Sequence, residues 1–222
     1  MIQVQDIEFA YRSGGFRLRI ASLRISAGEK VAITGPSGSG KTTLLNLLAG
    51  VLVPEAGTIV IDGVGVSQLP HEDRQDFRIL RMGLVFQEFE LLEYLTVLDN
   101  VLLPYRVSPV LIMDEIVRER AEDSVRDVGL GRKVKRFPGQ LSQGEKQRVA
   151  VCRALVTQPS LVLCDEPTGN LDTSNRDHIL QLLLEYSDSS GAPLVVITHD
   201  TELLHCFDRV LDSASWESET ES

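Results

Sequence analysis

The segment from Gly35 to Thr42, GPSGSGKT, has the residue types and spacing of a phosphate-binding loop, G-x-x-x-x-G-K-[ST]. It lies between an apolar run at 30–34, predicted to be a strand, and a helix predicted over about 40–49. Lys41 supplies a positive charge for the β- and γ-phosphates, and the Thr42 hydroxyl is a ligand for Mg²⁺. We therefore expect a nucleoside triphosphate with Mg²⁺ on the loop and the helix start: Gly35, Pro36, Ser37, Gly38, Ser39, Gly40, Lys41, Thr42 and Thr43.

The physical reason lies in the backbone of the loop. Glycines allow successive N–H groups to point at phosphate oxygens, and the start of the following helix adds a favourable dipole. The alternative is a glycine-rich turn without a ligand, and the position of the segment directly after an apolar strand disfavours it.

Two adjacent carboxylates, Asp165 and Glu166, follow an apolar run at 161–164 that is predicted to be a buried strand. Ligands bind at the carboxyl ends of the strands in open parallel sheets. Asp165 can hold Mg²⁺ through an oxygen atom, and Glu166 can accept a proton from an attacking water. Adjacent carboxylates are common on protein surfaces, so the pair is ambiguous alone. Together with the loop upstream it predicts hydrolysis of the nucleotide.

A third segment, LSQGE at 141–145, places a serine and a glycine at the predicted start of a helix over 143–156. Such a start can bind an anion. By itself, however, it is better explained as an ordinary helix cap.

In this order the three segments resemble the nucleotide-binding domain of the ABC family. Residues 141–145 are similar to the family signature LSGGQ; they depart from it at Gln143 and Glu145 and retain Ser142 and Gly144. The resemblance implies that Ser142 and Gly144 contact the γ-phosphate of an ATP held by a second copy. It therefore implies a homodimer with two ATP molecules sandwiched between the copies.

The resemblance also implies roles for single residues. Tyr11 would stack on adenine, although a strand aromatic in the core is the alternative. Gln87 would contact Mg²⁺ and sense a membrane partner, and Asp172, in the segment 170–172, would couple the two sites across the dimer. His199 would contact the γ-phosphate; a lone histidine is more often structural, but its place at a strand end favours this role. The implied catalytic residues are Glu166, His199, Lys41 and Gln87, and the implied Mg²⁺ ligands are Thr42, Gln87 and Asp165.

The segments 85–92 and 165–172 resemble those of the ATPases of lipoprotein-release and MacB-like export systems. This implies an exporter ATPase that drives an integral membrane permease from the cytoplasmic face of the inner membrane. A signalling ATPase that pulls on an FtsX-type partner without transport is an alternative, since exporters and signalling systems of this kind use the same type of ATPase subunit. A nucleic-acid ATPase of the SMC or repair type is disfavoured: 124 positions separate Lys41 from Asp165, and they contain no heptad run and no cysteine cluster.

Directly after Gln87 the chain is unusually apolar. We expect part of this set to form a groove for the membrane partner and the rest to form the core of the helical lobe; its members are Phe89, Leu91, Leu92, Tyr94, Leu95 and Leu98.

The pattern of elements predicts an α/β fold: a P-loop NTPase (RecA-like) core with a parallel sheet, an N-terminal antiparallel β subdomain and an inserted α-helical subdomain. Strands are predicted at 2–11 and 16–25, joined by a turn at 13–15, and at 57–62, 83–86 and 194–198; helices are predicted over 70–81, 173–186, 201–206 and much of 96–129. We expect one domain over 1–211, with its core at 1–87 and 157–211 and the helical subdomain at about 88–156. The acidic, serine-rich stretch 212–222 predicts a disordered tail instead of a closing strand pair.

Composition narrows the function further. The chain of 222 residues carries a formal net charge of −10, which disfavours nucleic acid as the main partner. No apolar stretch approaches the roughly 20 residues needed to span a bilayer, and the start of the chain predicts no signal peptide. The three cysteines form no C-x-x-C pair, which is typical of a reducing cytoplasm.

Overall fold

The computed structural model describes residues 1–12, 15–169 and 171–220. Ser13 and Gly14 of the predicted turn, and Asn170 of the segment 170–172, lie outside the described residues. The strands are β1 (Ile2–Ala10), β2 (Phe16–Ile25), β3 (Lys30–Thr34), β4 (Ala56–Ile61), β5 (Val64–Gly65), β6 (Met82–Val85), β7 (Leu161–Asp165), β8 (Leu194–Ile197), β9 (Arg209–Asp212) and β10 (Glu217–Thr220). The helices are α1 (Lys41–Leu48), α2 (His71–Arg81), α3 (Val97–Val101), α4 (Leu103–Val107), α5 (Glu115–Asp127), α6 (Gln143–Leu155) and α7 (Thr173–Ser190).

Short 3-10 helices complete the connections. They span Val66–Gln68, Gly131–Lys133, Pro138–Gln140, Thr201–Cys206 and Ser213–Ser215. The predicted helix over 201–206 is therefore a 3-10 helix. None of the helices in the described parts of the chain is long and apolar enough to cross a bilayer.

The first sheet is antiparallel and has the order β10-β2-β1-β4-β5. In β2, Leu18 and Ile20 are buried, as are Leu23 and Ile25 beyond two exposed residues at 21 and 22, while the arginines of the strand are exposed. Within each half of the strand this period of two matches the pleat of a strand with one face in the core. The register pairs Ile2 with Ile25 and Phe9 with Leu18, so β1 and β2 contribute their apolar faces to the same side.

The second sheet is parallel and has the order β6-β7-β8-β3-β9. Its central strands are apolar along their whole length because helices or the first sheet cover both faces: β8 is buried at all four positions. The parallel order brings the carboxyl ends of β3, β7 and β8 to one edge. That edge carries the phosphate loop, the Asp165–Glu166 pair and His199, which come from distant parts of the chain.

Helix α1 lies between the two sheets. Leu44, Leu45 and Leu48 are each no more than 1% exposed, and they belong to the largest apolar core together with residues of both sheets. Since α1 begins directly after the phosphate loop, its burial on several sides anchors that loop.

The predicted helical stretch 96–129 forms three helices, α3 to α5, which pack with α6 around a second core. Asn100 is fully buried there; it donates to the carbonyls of Leu92 and Leu95 and accepts from Leu92 N–H. A buried amide that is satisfied in this way fixes the path of the chain after Gln87.

The end of the chain differs from the expectation of a disordered tail from 212 onward. Strand β9 pairs parallel with β3, with Val31 opposite Arg209 and Thr34 opposite Asp212. Strand β10 pairs antiparallel with β2 at the edge of the first sheet. The low hydrophobicity of 212–222 indicated disorder, but Leu211 and Trp216 pack against the main core and the backbone of both strands pairs with edges of the two sheets.

Candidate nucleotide-binding site

The loop between β3 and α1 turns through three glycines with positive φ: Gly35 at 127°, Gly38 at 79° and Gly40 at 90°. Residues other than glycine rarely adopt such backbone conformations. At Gly40, a Cβ atom would also lie 2.9 Å from the Phe16 ring. The loop therefore needs glycine at these positions. Its curvature ends at Lys41, the first residue of α1, so that the N-terminus of the helix faces the enclosed space.

Lys41 is held inside this loop. Its side chain is only 7% exposed, and Nζ donates to the carbonyl oxygens of Gly35 at 2.9 Å and Pro36 at 2.7 Å. Burial lowers the pKa of Lys41, while the nearby Glu166 and Asp165 carboxylates oppose that shift. The two carbonyl contacts keep the ammonium group aimed across the loop.

Thr42 and Asp165 meet although 123 positions separate them. Thr42 Oγ1 donates to Asp165 Oδ2 at 2.8 Å, and Gln87 lines the same cavity. A hydroxyl, a carboxylate and an amide carbonyl are all oxygen ligands of the hard type that Mg²⁺ prefers. The donor set present therefore fits a magnesium ion beside the phosphate loop.

Glu166 follows β7 directly, in an unusual backbone conformation. Its φ is 49°, and its backbone N–H donates to the carbonyl of Ile197 at 3.0 Å. Left-handed backbone at a non-glycine residue costs free energy and is typical of functional sites. The conformation brings Glu166 Oε1 to 3.3 Å from His199 Nε2. Burial raises the pKa of Glu166, and His199 acts in the opposite direction.

Tyr11 lies at the rim of the site. Its side chain is 39% exposed, and its hydroxyl is 3.2 Å from Thr43 Oγ1. The ring packs edge-on against Phe9, with centroids 4.9 Å apart. The exposure excludes the alternative of a core aromatic and leaves part of the ring free to contact a ligand.

These side chains enclose an open cavity of about 510 Å³. It is lined by Tyr11, Ser37, Gly38, Gly40, Lys41, Thr42, Thr43, Gln87, Asp165, Glu166 and His199, all of which the sequence predicted as site residues. Phe16 and Ile197 also line it and were missed. Phe16 is the first residue of the strand predicted at 16–25, but no spacing rule linked it to the loop.

Other predicted site residues lie outside the lining. Gly35, Pro36 and Ser39 belong to the loop, but Ser39 is 6% exposed and its hydroxyl donates to the Pro36 carbonyl at 2.8 Å. Gly35, Pro36 and Ser39 therefore contribute to the site by shaping the loop.

Ser142, Gly144 and Asp172 do not line the cavity either. Ser142 is the exposed N-cap of α6 and forms a capping box with Glu145: each side chain binds the other residue's N–H, at 3.3 and 3.0 Å. Asp172 caps α7 by accepting from Asn175 N–H at 3.0 Å. The sequence missed Asn175, which has no motif of its own. Within one copy, the signature segment thus remains separate from the phosphate loop.

A second cavity of about 740 Å³ lies between the parallel core and the helical lobe. Its lining includes Phe86, Leu103, Val107 and Arg153. The apolar set predicted after Gln87 does not line it: Leu91 and Leu98 pack against the lobe core, and Tyr94 is 74% exposed on the surface. Phe86 and Val107, which lie before and after that set in the sequence, line this cavity, and the groove expected from the set stays a prediction.

Comparison with known proteins adds family relationships. Residues 18–169 match the family model described as ABC transporter. A lipoprotein-releasing system ATP-binding protein LolD of Bordetella pertussis is 42% identical over 217 residues, which cover 95% of this chain and 91% of that protein. A macrolide export ATP-binding/permease protein MacB of Rhodopirellula baltica is 44% identical over 218 residues, which cover 95% of this chain but only 31% of that protein. The chain thus spans about a third of the length of the MacB proteins it matches.

Among solved structures, the ATP-binding cassette MJ0796, determined as a dimer in a post-hydrolysis state bound to ADP and Pi, superposes with a TM-score of 0.86 at 34% identity. The match covers 96% of this chain and 94% of that chain.

Proposed function

Since the chain belongs to the ABC transporter family of ATP-binding domains, we propose that it hydrolyses MgATP between two copies of itself and so drives a membrane-embedded export partner. The observation that carries the proposal is the incompleteness of the site within one copy. The phosphate loop, Glu166 and His199 form one wall of an open cavity, while the exposed Ser142 lies elsewhere on the surface.

A second copy in head-to-tail orientation supplies the missing wall. The N-terminus of α6, with Ser142 and Gly144, then covers the γ-phosphate that the first copy holds on its loop. A helix N-terminus and a serine hydroxyl suit an anion. Asp172, at the start of α7, faces the same interface. The dimeric, ADP- and Pi-bound state of MJ0796 supports this arrangement.

The residues of the first copy divide the chemistry among them. Lys41 releases its two loop carbonyls and binds the β- and γ-phosphate oxygens. Glu166 orients the attacking water and accepts its proton, and the raised pKa of this carboxyl, caused by burial, suits a base in a partly desolvated site. His199, beside Glu166, steadies the γ-phosphate during transfer. Tyr11 stacks on the adenine.

Thr42, Gln87 and Asp165 would hold the Mg²⁺ ion, whose charge offsets that of the phosphate oxygens when it is bound. Gln87 connects the site to the second cavity because Phe86, the preceding residue, lines that cavity. We propose the cavity as the place where the permease touches the ATPase, on the cytoplasmic face of the membrane.

The exporter assignment follows the names of the relatives, which refer to lipoprotein release and macrolide export. An ATPase that signals through its membrane partner without transport would use the same residues. Co-purification of the membrane partner separates the two: a permease that moves cargo in vesicles supports export, whereas one that only activates a cell-wall hydrolase supports signalling.

The decisive experiment uses Glu166→Gln. The variant should bind MgATP, elute as a dimer and hydrolyse ATP at least a hundredfold more slowly, because it keeps the size of the side chain but cannot accept a proton (removal of a general base costs roughly 10²–10⁴ in rate). Adding Ser142→Ala in that background should weaken the dimer while sparing ATP binding to the monomer. Hydrolysis at the wild-type rate, with a monomer in the presence of ATP, would contradict the proposal.

A further inference from the structure

The chain returns beneath the phosphate loop after its last parallel strand. Ser213, the first residue of the 3-10 turn Ser213–Ser215, is completely buried. Its Oγ lies 2.5 Å from Oγ of Ser39 in the loop, 174 positions earlier in the chain. This contact joins the stretch that looked like a tail to the nucleotide site.

The direction of the hydrogen bonds follows from the proton count. The single hydroxyl proton of Ser39 is donated to the Pro36 carbonyl at 2.8 Å. The bond between the two serines must therefore use the proton of Ser213. The same Pro36 carbonyl accepts from Lys41 Nζ at 2.7 Å. A chain of hydrogen bonds thus runs from Ser213 through Ser39 to the peptide group that orients Lys41.

The packing around Gly35 leads to the same conclusion. A Cβ atom on Gly35 would lie 2.1 Å from Ser213 Oγ and 3.1 Å from Asp212 Oδ1, so the turn fills the space behind the loop. Asp212 holds the turn by accepting from Ala214 N–H at 2.9 Å, and the pairing of Asp212 with Thr34 ties it to β3. The turn and the start of the loop therefore form one packed unit.

We propose that Ser213 is a positioning residue for nucleotide binding: its hydroxyl holds Ser39 and the Pro36 peptide in the conformation that receives the phosphates. Ser213 then acts on the nucleotide site from behind the loop, although its side chain does not line the cavity. This inference rests on the proposed ATP-binding function. A role limited to fold stability would lower the melting temperature of the protein without changing the affinity of the folded protein for nucleotide.

The test compares Ser213→Ala with Ser215→Ala. Ser215 offers a matched control because it lies in the same turn, is exposed, and donates only to the Asp212 carbonyl. The dissociation constant for MgADP is measured by titration with a fluorescent ADP analogue, and melting temperatures are measured without nucleotide. We expect Ser213→Ala to weaken MgADP binding by about tenfold, the effect of one lost buried hydrogen bond, and Ser215→Ala to leave it unchanged.

Two further variants trace the path of the effect. Ser213→Cys replaces the hydroxyl by a larger thiol that is a weaker donor, and its MgADP affinity should fall between those of wild type and Ser213→Ala; it also replaces Ser213→Ala if that variant does not fold. The double variant Ser39→Ala/Ser213→Ala should bind no more weakly than Ser39→Ala alone, because both act through one chain of bonds.

MgADP affinity within twofold of wild type for Ser213→Ala and Ser213→Cys, or an equal loss in Ser215→Ala, would overturn the inference and leave the proposed function intact. A wild-type chain that binds no MgADP would instead overturn the proposed function, and this inference with it.

Discussion

The side chain of Asn175 occupies the space that a Cβ atom on Gly144 would need, at 2.4 Å from both Asn175 Cγ and Oδ1. The same amide accepts from Arg148 Nη1 at 2.7 Å and donates to Asp172 Oδ2 at 2.6 Å. Helix α6 and the N-cap of α7 are therefore locked together. In the proposed dimer, the two segments that meet the partner copy move as one unit.

Gly144→Ala tests this contact. The conformation at Gly144 suits alanine, which favours helices, so any loss of folding stability comes from the clash with Asn175. We expect a destabilisation of about 1–3 kcal/mol in urea unfolding, typical of overpacking, and ATP hydrolysis reduced at least about tenfold. MgADP binding should be retained because the phosphate loop is remote. Adding Asn175→Ala removes the three clashing atoms and should recover part of the stability; a double variant as unstable as the sum of the singles would contradict this account.

Two variants of Tyr11 should separate the contributions of ring stacking and of hydrogen bonding to MgADP binding. Tyr11→Phe loses only the contact with Thr43 and should bind MgADP within about twofold of wild type, since a part-exposed hydrogen bond contributes little. Tyr11→Ala removes the ring and should weaken binding about tenfold, in the range measured for base–aromatic stacking. Fluorescence titration measures both. Equal losses in the two variants would argue against stacking.

Thr42 should determine the requirement for magnesium. Thr42→Ala removes the hydroxyl that contacts Asp165, and we expect it to raise the Mg²⁺ concentration needed for half-maximal ATPase activity. Thr42→Ser keeps the hydroxyl and provides the matched control. Chelation of Mg²⁺ by EDTA should abolish hydrolysis by the wild type. If Thr42→Ala and Thr42→Ser have the same Mg²⁺ dependence, Thr42 is not a ligand.

Glu145 should contribute a pH-dependent part of the stability. A hydrogen bond from the Lys133 ammonium group lowers the pKa of Glu145 below its ordinary value of 4.5. A carboxyl whose pKa is lower in the folded state stabilises the protein above its unfolded pKa and loses that effect as the pH falls through the folded pKa. Glu145→Gln should therefore be less stable than wild type at pH 7 by about 0.5 kcal/mol, given the exposure of Lys133.

The difference should shrink as the pH falls below 4.5, measured by urea unfolding at a series of pH values. Lys133→Met serves as the control, since it removes the same bond from the other side. A Glu145→Gln difference that stays constant from pH 7 to pH 3.5 would exclude this ion pair as its source.

The partner groove can be tested at two exposed apolar residues. Val107 is 65% exposed and lines the second cavity, whereas Tyr94 is 74% exposed outside it. Glutamate at Val107 should reduce the stimulation of ATPase activity by the co-purified membrane partner and leave basal activity unchanged. The sequence predicted that the apolar set after Gln87, which includes Tyr94, forms part of the groove. If so, Tyr94→Glu should also reduce the stimulation by the partner and leave basal activity unchanged. Equal loss of basal and stimulated activity in Val107→Glu would count against the groove.

The sequence alone determined the local chemistry. A loop with glycines at the positions of positive φ, followed by lysine and threonine at a helix start, has few other uses, and an apolar strand that ends in Asp165 and Glu166 delivers both carboxylates to a sheet edge. Periodicity was informative for elements that bury one regular face, such as α5 with Val117, Ala121 and Val125. The site residues at the cavity were predictable for these reasons.

Tertiary structure decided what depends on contacts between distant segments. The buried bond between Ser213 and Ser39, the packing of Asn175 on Gly144, and the pairing of β9 and β10 with strands already in place have no periodic signal. A four-residue strand or a single serine carries too little hydrophobic pattern to predict which distant segment it will contact. Its conformation is set by the backbone edges and cavities that the rest of the fold presents, and these exist only once the chain has folded.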